Sequence, residues 1–192
     1  TTIFNALQKV GFGQLTWERT LSDKHDLLAG LVTRFNYYDD NTTATLDTAT
    51  KGNRSDKVVL PGVFVQDEIS LTTKQKLLLG LRYDYDKRHG NIFTPRIAYK
   101  LNVSSSDFLR LNAGTGFRVV NIFTEDHAAL TGARAIVIGE KLKPERSYNI
   151  NLNYLKNVHT ASGWMNFDIS AWYTHFSNRI MPDYETNPNQ II

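Results

Sequence analysis

Few residues of this chain are spaced for covalent chemistry. The five histidines, His25, His89, His127, His159 and His175, are far apart and mostly in turns or loops, and no pair has ligand spacing, so they read as solvated residues rather than metal ligands. The chain has no cysteine, which removes thiolate metal sites and disulfides. Gly114-Thr115-Gly116 has part of a phosphate-binding loop but lacks the third glycine, and no helical pattern follows it. It reads better as a place where a bulky neighbour comes close to the backbone. No serine, histidine and carboxylate stand together as a nucleophilic set. The expectation is therefore no catalytic residue, no metal and no cofactor.

Binding fits the residues better. Arg82, Asp84, Arg96, Arg110 and Arg118 fall on the polar positions of neighbouring alternating segments, where they either pair with one another or line a watery interior. The connection from Val119 to Lys143 is long and mixes apolar with charged residues, among them Asn121, Glu125, Asp126, His127 and Arg134. Long connections above a rigid scaffold are where recognition normally resides. The candidate ligand contacts are thus Arg82, Arg96, Arg110, Arg118, Asn121, Glu125, Asp126, His127 and Arg134.

The elements that must position these side chains are strands. From Leu77 to Tyr85 one face reads Leu77, Leu79, Leu81, Tyr83, Tyr85 and the other Leu78, Gly80, Arg82, Asp84. From Phe93 to Val103, Phe93, Pro95, Ile97, Tyr99, Leu101 and Val103 oppose Thr94, Arg96, Ala98, Lys100 and Asn102. From Pro144 to Tyr154, Tyr148, Ile150, Leu152 and Tyr154 oppose Ser147, Asn149, Asn151 and Asn153. A period of two with one greasy and one polar face marks a strand whose sides meet different solvents. A row of asparagines makes a poor dry core and suits a wet interior.

Further strands are legible at about Gly11 to Leu21, Leu27 to Tyr38, Leu60 to Leu71, Phe108 to Arg118 and Trp164 to Phe176. Segments of this length match the roughly 9 to 11 residues a tilted strand needs to cross hydrocarbon, against about 5 to 6 in soluble sheets. Connections alternate between tight (Ser22 to His25, Thr72 to Gln75, Ser104 to Asp107, Lys156 to Ser162) and long (Asp39 to Val59, Asp86 to Asn91, Val119 to Lys143). Short turns on the periplasmic side and longer loops outside are the habit of outer-membrane barrels. Phe35, Tyr37, Tyr83, Tyr85, Phe93, Phe117, Tyr148 and Tyr173 gather toward the long connections, as an interfacial aromatic girdle does, and Trp17, Tyr154 and Phe167 toward the tight turns. The fold class is all-β: about eight strands of an antiparallel, up-and-down transmembrane β-barrel.

Composition agrees. With 41% hydrophobic and 21% charged residues the chain is neither disordered nor a helical membrane protein, and no run approaches the roughly 18 apolar residues of a membrane helix. A net charge of +3, with lysine and arginine scattered, leaves no footprint for nucleic acid.

Five motifs follow one another in an order that resembles TonB-dependent outer-membrane receptors: Gly62-Val63-Phe64-Val65-Gln66-Asp67-Glu68, Leu79-Gly80-Leu81-Arg82-Tyr83-Asp84, Phe93-Thr94-Pro95-Arg96, Gly114-Thr115-Gly116-Phe117-Arg118 and Leu142-Lys143-Pro144-Glu145-Arg146-Ser147. The stretch from Asn121 to Ile138 is similar to receptors of the Bacteroides type. The resemblance implies a barrel of about 22 strands around a plug domain, with uptake powered through contact with TonB. It implies as ligand an iron-siderophore, haem, cobalamin or an oligosaccharide, and as partners outer-membrane lipid and the TonB complex. Residues 1–192 would then be a partial barrel domain without plug or closing C-terminal strands. Two alternatives stand beside it: a self-contained eight-stranded outer-membrane barrel of structural or adhesive role, and a soluble β-sandwich binding module.

Overall fold

A computed structural model describes residues 5–40, 55–119, 135–136, 143–181, 185–186 and 190–191. Eight long strands dominate it: β1 (Ala6–Ser22), β2 (His25–Asp40), β3 (Asp56–Thr72), β4 (Gln75–Asp86), β5 (Gly90–Asn102), β6 (Asp107–Arg118), β8 (Glu145–Thr160) and β9 (Gly163–Asn178). Two dipeptides, β7 (Ala135–Ile136) and β10 (Gln190–Ile191), pair in parallel apart from them. The long strands form one antiparallel sheet in the order β1-β2-β3-β4-β5-β6-β8-β9, each beside its neighbour in the chain. They are 12 to 17 residues long, so several run past the span of hydrocarbon at one end or both.

The tight turns have readable local causes. The Ser22 hydroxyl accepts the amide of Lys24 and the Thr72 hydroxyl that of Lys74, which closes the β1–β2 and β3–β4 hairpins in the same way. Ser104 Oγ accepts the amides of Ser106 and Asp107 at the β5–β6 turn. The Asp86-to-Asn91 connection, expected to be long, is tight. Asp86 Oδ1 accepts the amides of Arg88 (2.8 Å) and His89 (3.0 Å), and Gly90 takes the left-handed backbone (φ 75°) that lets β5 start at once. Strand pairing continues to Asp86 and Gly90, so both strands rise beyond the level the sequence pattern suggested.

Cross-strand register carries one face unbroken through all eight strands. A single row runs Trp17, Ala29, Val65, Leu81 and Pro95, and the row through Leu79, Ile97, Ala113, Ile150 and Tyr173 continues it across the later strands. Every aromatic assigned to the girdles lies on this face. The face is open: Leu79, Leu81, Ile97, Ile150 and Leu152 are each 43–46% exposed, and among the described residues no second layer covers them. The few buried side chains, Val32, Tyr38, Leu60, Ile92, Asp84, Asp86 and Glu145, all belong to the opposite face. A soluble sandwich would show the reverse, with the leucine rows dry and the polar face wet. Nor does the sheet close on itself as eight strands, because β1 and β9 pair only with β2 and β8 among the described residues.

Placing a charge on the open apolar face is expected to be costly. Leu79→Arg or Leu152→Arg should lose about 2–4 kcal/mol of assembly free energy near the bilayer centre, whereas Asn151→Arg on the other face should assemble nearly normally. Gel mobility of unheated and heated outer-membrane fractions measures this, and equal losses at both faces would contradict the assignment.

Candidate functional site

The inner face is the polar one, and its chemistry follows from strand parity. Arg82 and Asp84 are two apart on β4, so both point inward. The guanidinium grips the carboxylate with two bonds, Nε to Oδ2 and Nη2 to Oδ1, each 2.7 Å. Asp84 is fully buried. A side chain at Gly62, directly opposite on β3, would collide with Asp84, so that glycine makes room for the ion pair. Two strands further, Arg118 on β6 donates from Nε to Glu145 Oε2 (2.8 Å) on β8, and the Ile180 amide donates to Glu145 Oε1 (2.9 Å). Arg88 reaches Asp56 more loosely, at 3.5 Å.

These pairs surround one hollow of about 390 Å³, lined by Arg34, Asn36, Arg82, Arg88, Thr94 and Arg118 among others. Arg34 has no carboxylate partner among the described residues, and buried Asp86, the remaining carboxylate at this end of the inner face, is taken up by the amides of Arg88 and His89. A second hollow of about 420 Å³ lies beside it, with Gln14, Gln66, Arg82 and Arg96 in its wall. Arg96 lies across two glycines: side chains at Gly80 or Gly114 would press on its Cγ, Nε or Cβ. This accounts for the Gly114-Thr115-Gly116 signature as a close approach. Arg96 is exposed and, among the described residues, has no hydrogen-bond or ion-pair partner. The buried Oε1 of Gln66 also lacks a partner.

Toward β9 the wall is built mainly of amides and hydroxyls, with the Asp168 carboxylate accepting from Asn153. Asn112 bonds Asn151 (3.4 Å), Asn149 accepts from Thr174 (2.8 Å), and Asn153 donates to Ser170 (2.9 Å). The asparagine row is a hydrogen-bonded ladder on the inner face.

Of the side chains nominated from sequence, Arg82 and Arg118 share the first hollow and Arg96 borders the second. Arg110 stands apart, near the tight turns, where it and Lys100 flank the Phe108 ring at 5.3 and 5.0 Å. Asn121, Glu125, Asp126, His127 and Arg134 lie outside the described residues. Arg34 and Arg88 were missed. Arg34 was within reach, since Val32, Arg34 and Asn36 share a parity on β2, but its segment alternates less cleanly than those that were read in full.

A one-layer sheet with an open apolar face, aromatic rims and an ion-paired, hydrated inner face is the wall of a transmembrane β-barrel of the outer-membrane type. The chain belongs to the family described as TonB dependent receptor-like, beta-barrel, whose model matches residues 2–192. It is 30% identical over 119 residues to an iron-regulated outer membrane virulence protein of Vibrio cholerae, covering 61% of this chain and 18% of that protein. Among solved structures it resembles a ferric enterobactin receptor of Pseudomonas aeruginosa crystallised with enterobactin (TM-score 0.71, 17% identity, 94% of this chain and 28% of that one). It also resembles the siderophore receptor PirA of the same organism (TM-score 0.69, 16% identity, 96% and 37%). At this identity the structural matches establish the fold. The chain spans less than two fifths of each relative's length. Its place is the outer membrane.

The Arg82–Asp84 pair gives a direct test. Arg82→Met leaves a buried carboxylate without its cation and should destabilise the barrel by about 3 kcal/mol or more, while Arg82→Met with Asp84→Leu should recover most of the loss. Urea unfolding in micelles reads both, and a double variant as unstable as the single one would show that the pair is not the unit.

Proposed function

We propose that this wall is part of a TonB-dependent receptor that captures an iron-siderophore complex from outside the cell and passes it inward through the barrel. The observation that carries the reading is the pair of inward-facing guanidiniums, Arg34 and Arg96, that have no carboxylate partner among the described residues. Guanidinium groups in a confined hollow are suited to an anionic chelate, because each offers several fixed donors and a charge that does not titrate. The printed names of the relatives, an iron-regulated outer-membrane protein and receptors for siderophores, point the same way.

The remaining parts of the machine belong to the proposal as well. Among the described residues β1 and β9 have no partner on their outer edges, which a bilayer does not tolerate, so further strands complete the cylinder. A plug fills its lumen and draws energy from the TonB complex. The protein transports and does not catalyse. Capture begins in the outer connections, including residues Asn121, Glu125, Asp126, His127 and Arg134, and continues along Arg34, Arg82, Arg118 and Arg96. Arg82 and Arg118 are held by their acids and shape the hollow; Arg34 and Arg96 supply unneutralised charge.

In the full-length receptor, Arg34→Ala and Arg96→Ala should each weaken binding of a ferric siderophore about tenfold, equivalent to about 1.4 kcal/mol, without changing heat-modifiable mobility. Quenching of intrinsic fluorescence by the ferric complex gives the affinity. Unchanged affinity in the double variant would remove the lumenal arginines from the ligand path.

A further inference from the structure

One basic row on the inner face takes no part in the outer hollows. Lys76 on β4, Lys100 on β5 and Arg110 on β6 stand abreast, Lys76 directly across from Lys100 and Lys100 directly across from Arg110. All three share the inward parity of Arg82, Arg96 and Asn112. The row lies one inward step from Asn102 and Phe108, beside the tight Ser104-to-Asp107 turn, so it borders the inner mouth of the lumen. Each of these strands has a neighbour on both sides, so no sheet edge lays the row bare. Like charges directly opposite in a sheet repel one another. Lys76 is neutralised by Glu68. Other acids of this face near the turns are engaged elsewhere: Asp26 accepts from Thr20 (2.7 Å), and Asp168, on β9, accepts from Asn153. Lys100 and Arg110 have no carboxylate partner among the described residues. Both lean instead on one ring, with Lys100 Nζ 5.0 Å and Arg110 Cζ 5.3 Å from the Phe108 centroid, which gathers two cationic heads at one place.

Contact with a ring leaves the charge of an exposed cation in place. An anion between the two heads turns their repulsion into attraction. We propose that Lys100 and Arg110 form an anion-binding station at the inner mouth of the lumen, which the iron chelate occupies as it leaves the barrel for the periplasm. The proposal rests on the import reading and extends it from capture to exit. The occupant follows from continuity along one strand. Arg96, in the wall of the second hollow, and Lys100 share a face of β5 four residues apart, about 13 Å along the strand. The inward side chain between them is Ala98, which is too small to close the way, and Asn112 stands across from it on β6. A chelate drawn in by Arg34 and Arg96 thus meets its next cations without carboxylate partners at Lys100 and Arg110. Rings of lysine and arginine favour anions in pores by the same charge. A compact ammonium beside a planar guanidinium offers a point charge and a fixed fork of donors, which suits the several oxygens of an anionic chelate.

The test is uptake of radioactive iron through the full-length receptor, in iron-starved cells that lack other siderophore receptors, from anionic ferric enterobactin, anionic ferric citrate or uncharged ferrichrome. Surface binding is measured in the cold, where transport stops, and the import rate after warming. Lys100→Glu with Arg110→Glu should leave surface affinity for the anionic chelate at the wild-type value and slow its import about tenfold or more, because the station then repels its occupant. Lys100→Gln with Arg110→Gln should fall between. Lys100→Arg with Arg110→Lys keeps both charges and should import at the wild-type rate. A residue that merely supports the fold would lower binding and import together. Import of an anionic chelate unaffected by charge reversal would overturn the proposal. So would entry of vancomycin, which intact outer membranes exclude, into cells carrying the charge-reversed receptor, since the pair would then be securing polypeptide in the lumen. Wild-type receptor that imports ferrichrome alone removes the station and leaves the import reading standing; one that imports none of the three removes both.

Discussion

A backbone amide or carbonyl inside hydrocarbon has no water to bond, so any chain that crosses a bilayer as strands must pair every one of them with a neighbour. This requirement accounts for the plainest features of the fold. Neighbours in sequence are neighbours in the sheet, because a hairpin secures its partner at the lowest loop cost. On one side the β1–β2 and β3–β4 turns shrink to two residues, with the Lys24 and Lys74 amides taken up by the Ser22 and Thr72 hydroxyls. Since the ladder satisfies the backbone, side chains are free to differ completely on the two faces. Through β4, β5, β6 and β8 the outward face carries mostly Leu, Ile and aromatic residues and the inward face arginine, asparagine and carboxylates, while β1 and β9 also turn Phe12 and Trp172 inward.

The inward face is organised by where side-chain volume is withheld. Gly62 leaves room for buried Asp84, and Gly80 and Gly114 let Arg96 lie flat along the wall. Charges that are pinned (Arg82, Arg118) and charges that are free (Arg34, Arg96) therefore occur side by side in adjoining hollows. A pinned pair gives shape, because its geometry is set by two hydrogen bonds. A guanidinium without a carboxylate partner among the described residues gives attraction, because its charge is not spent on a neighbouring acid.

Much of this was legible in the residues. All eight long strands and the sidedness of their faces follow from period-two alternation, which survives because each face meets a single solvent from end to end. The aromatic rims were legible for the same reason. The error at Asp86-to-Asn91 came from treating polar residues as loop. Above the hydrocarbon both faces of a strand meet water, alternation fades, and only the pairing of Asp86 with Gly90 reveals that the strands continue. The partnership of Arg118 with Glu145 was out of reach, since 27 residues separate them and nothing local to either marks the other. Arg34 was missed because β2 carries Ala29, Gly30 and Thr33 where cleaner strands place larger apolar or charged groups.

The central claim is that one side of this sheet touches lipid and the other touches water. A single cysteine can be introduced at each position from 77 to 85 and spin-labelled in the full receptor in bilayers, with any cysteine outside these 192 residues replaced by serine. Relaxation by oxygen, which partitions into hydrocarbon, and by a water-soluble nickel chelate should then alternate out of phase with a period of two, with oxygen favoured at Leu77, Leu79, Leu81 and Tyr83 and nickel at Gly80 and Arg82. Labels at the leucine positions shielded from both reagents would mean that another protein layer covers them, and the wall described here would not exist.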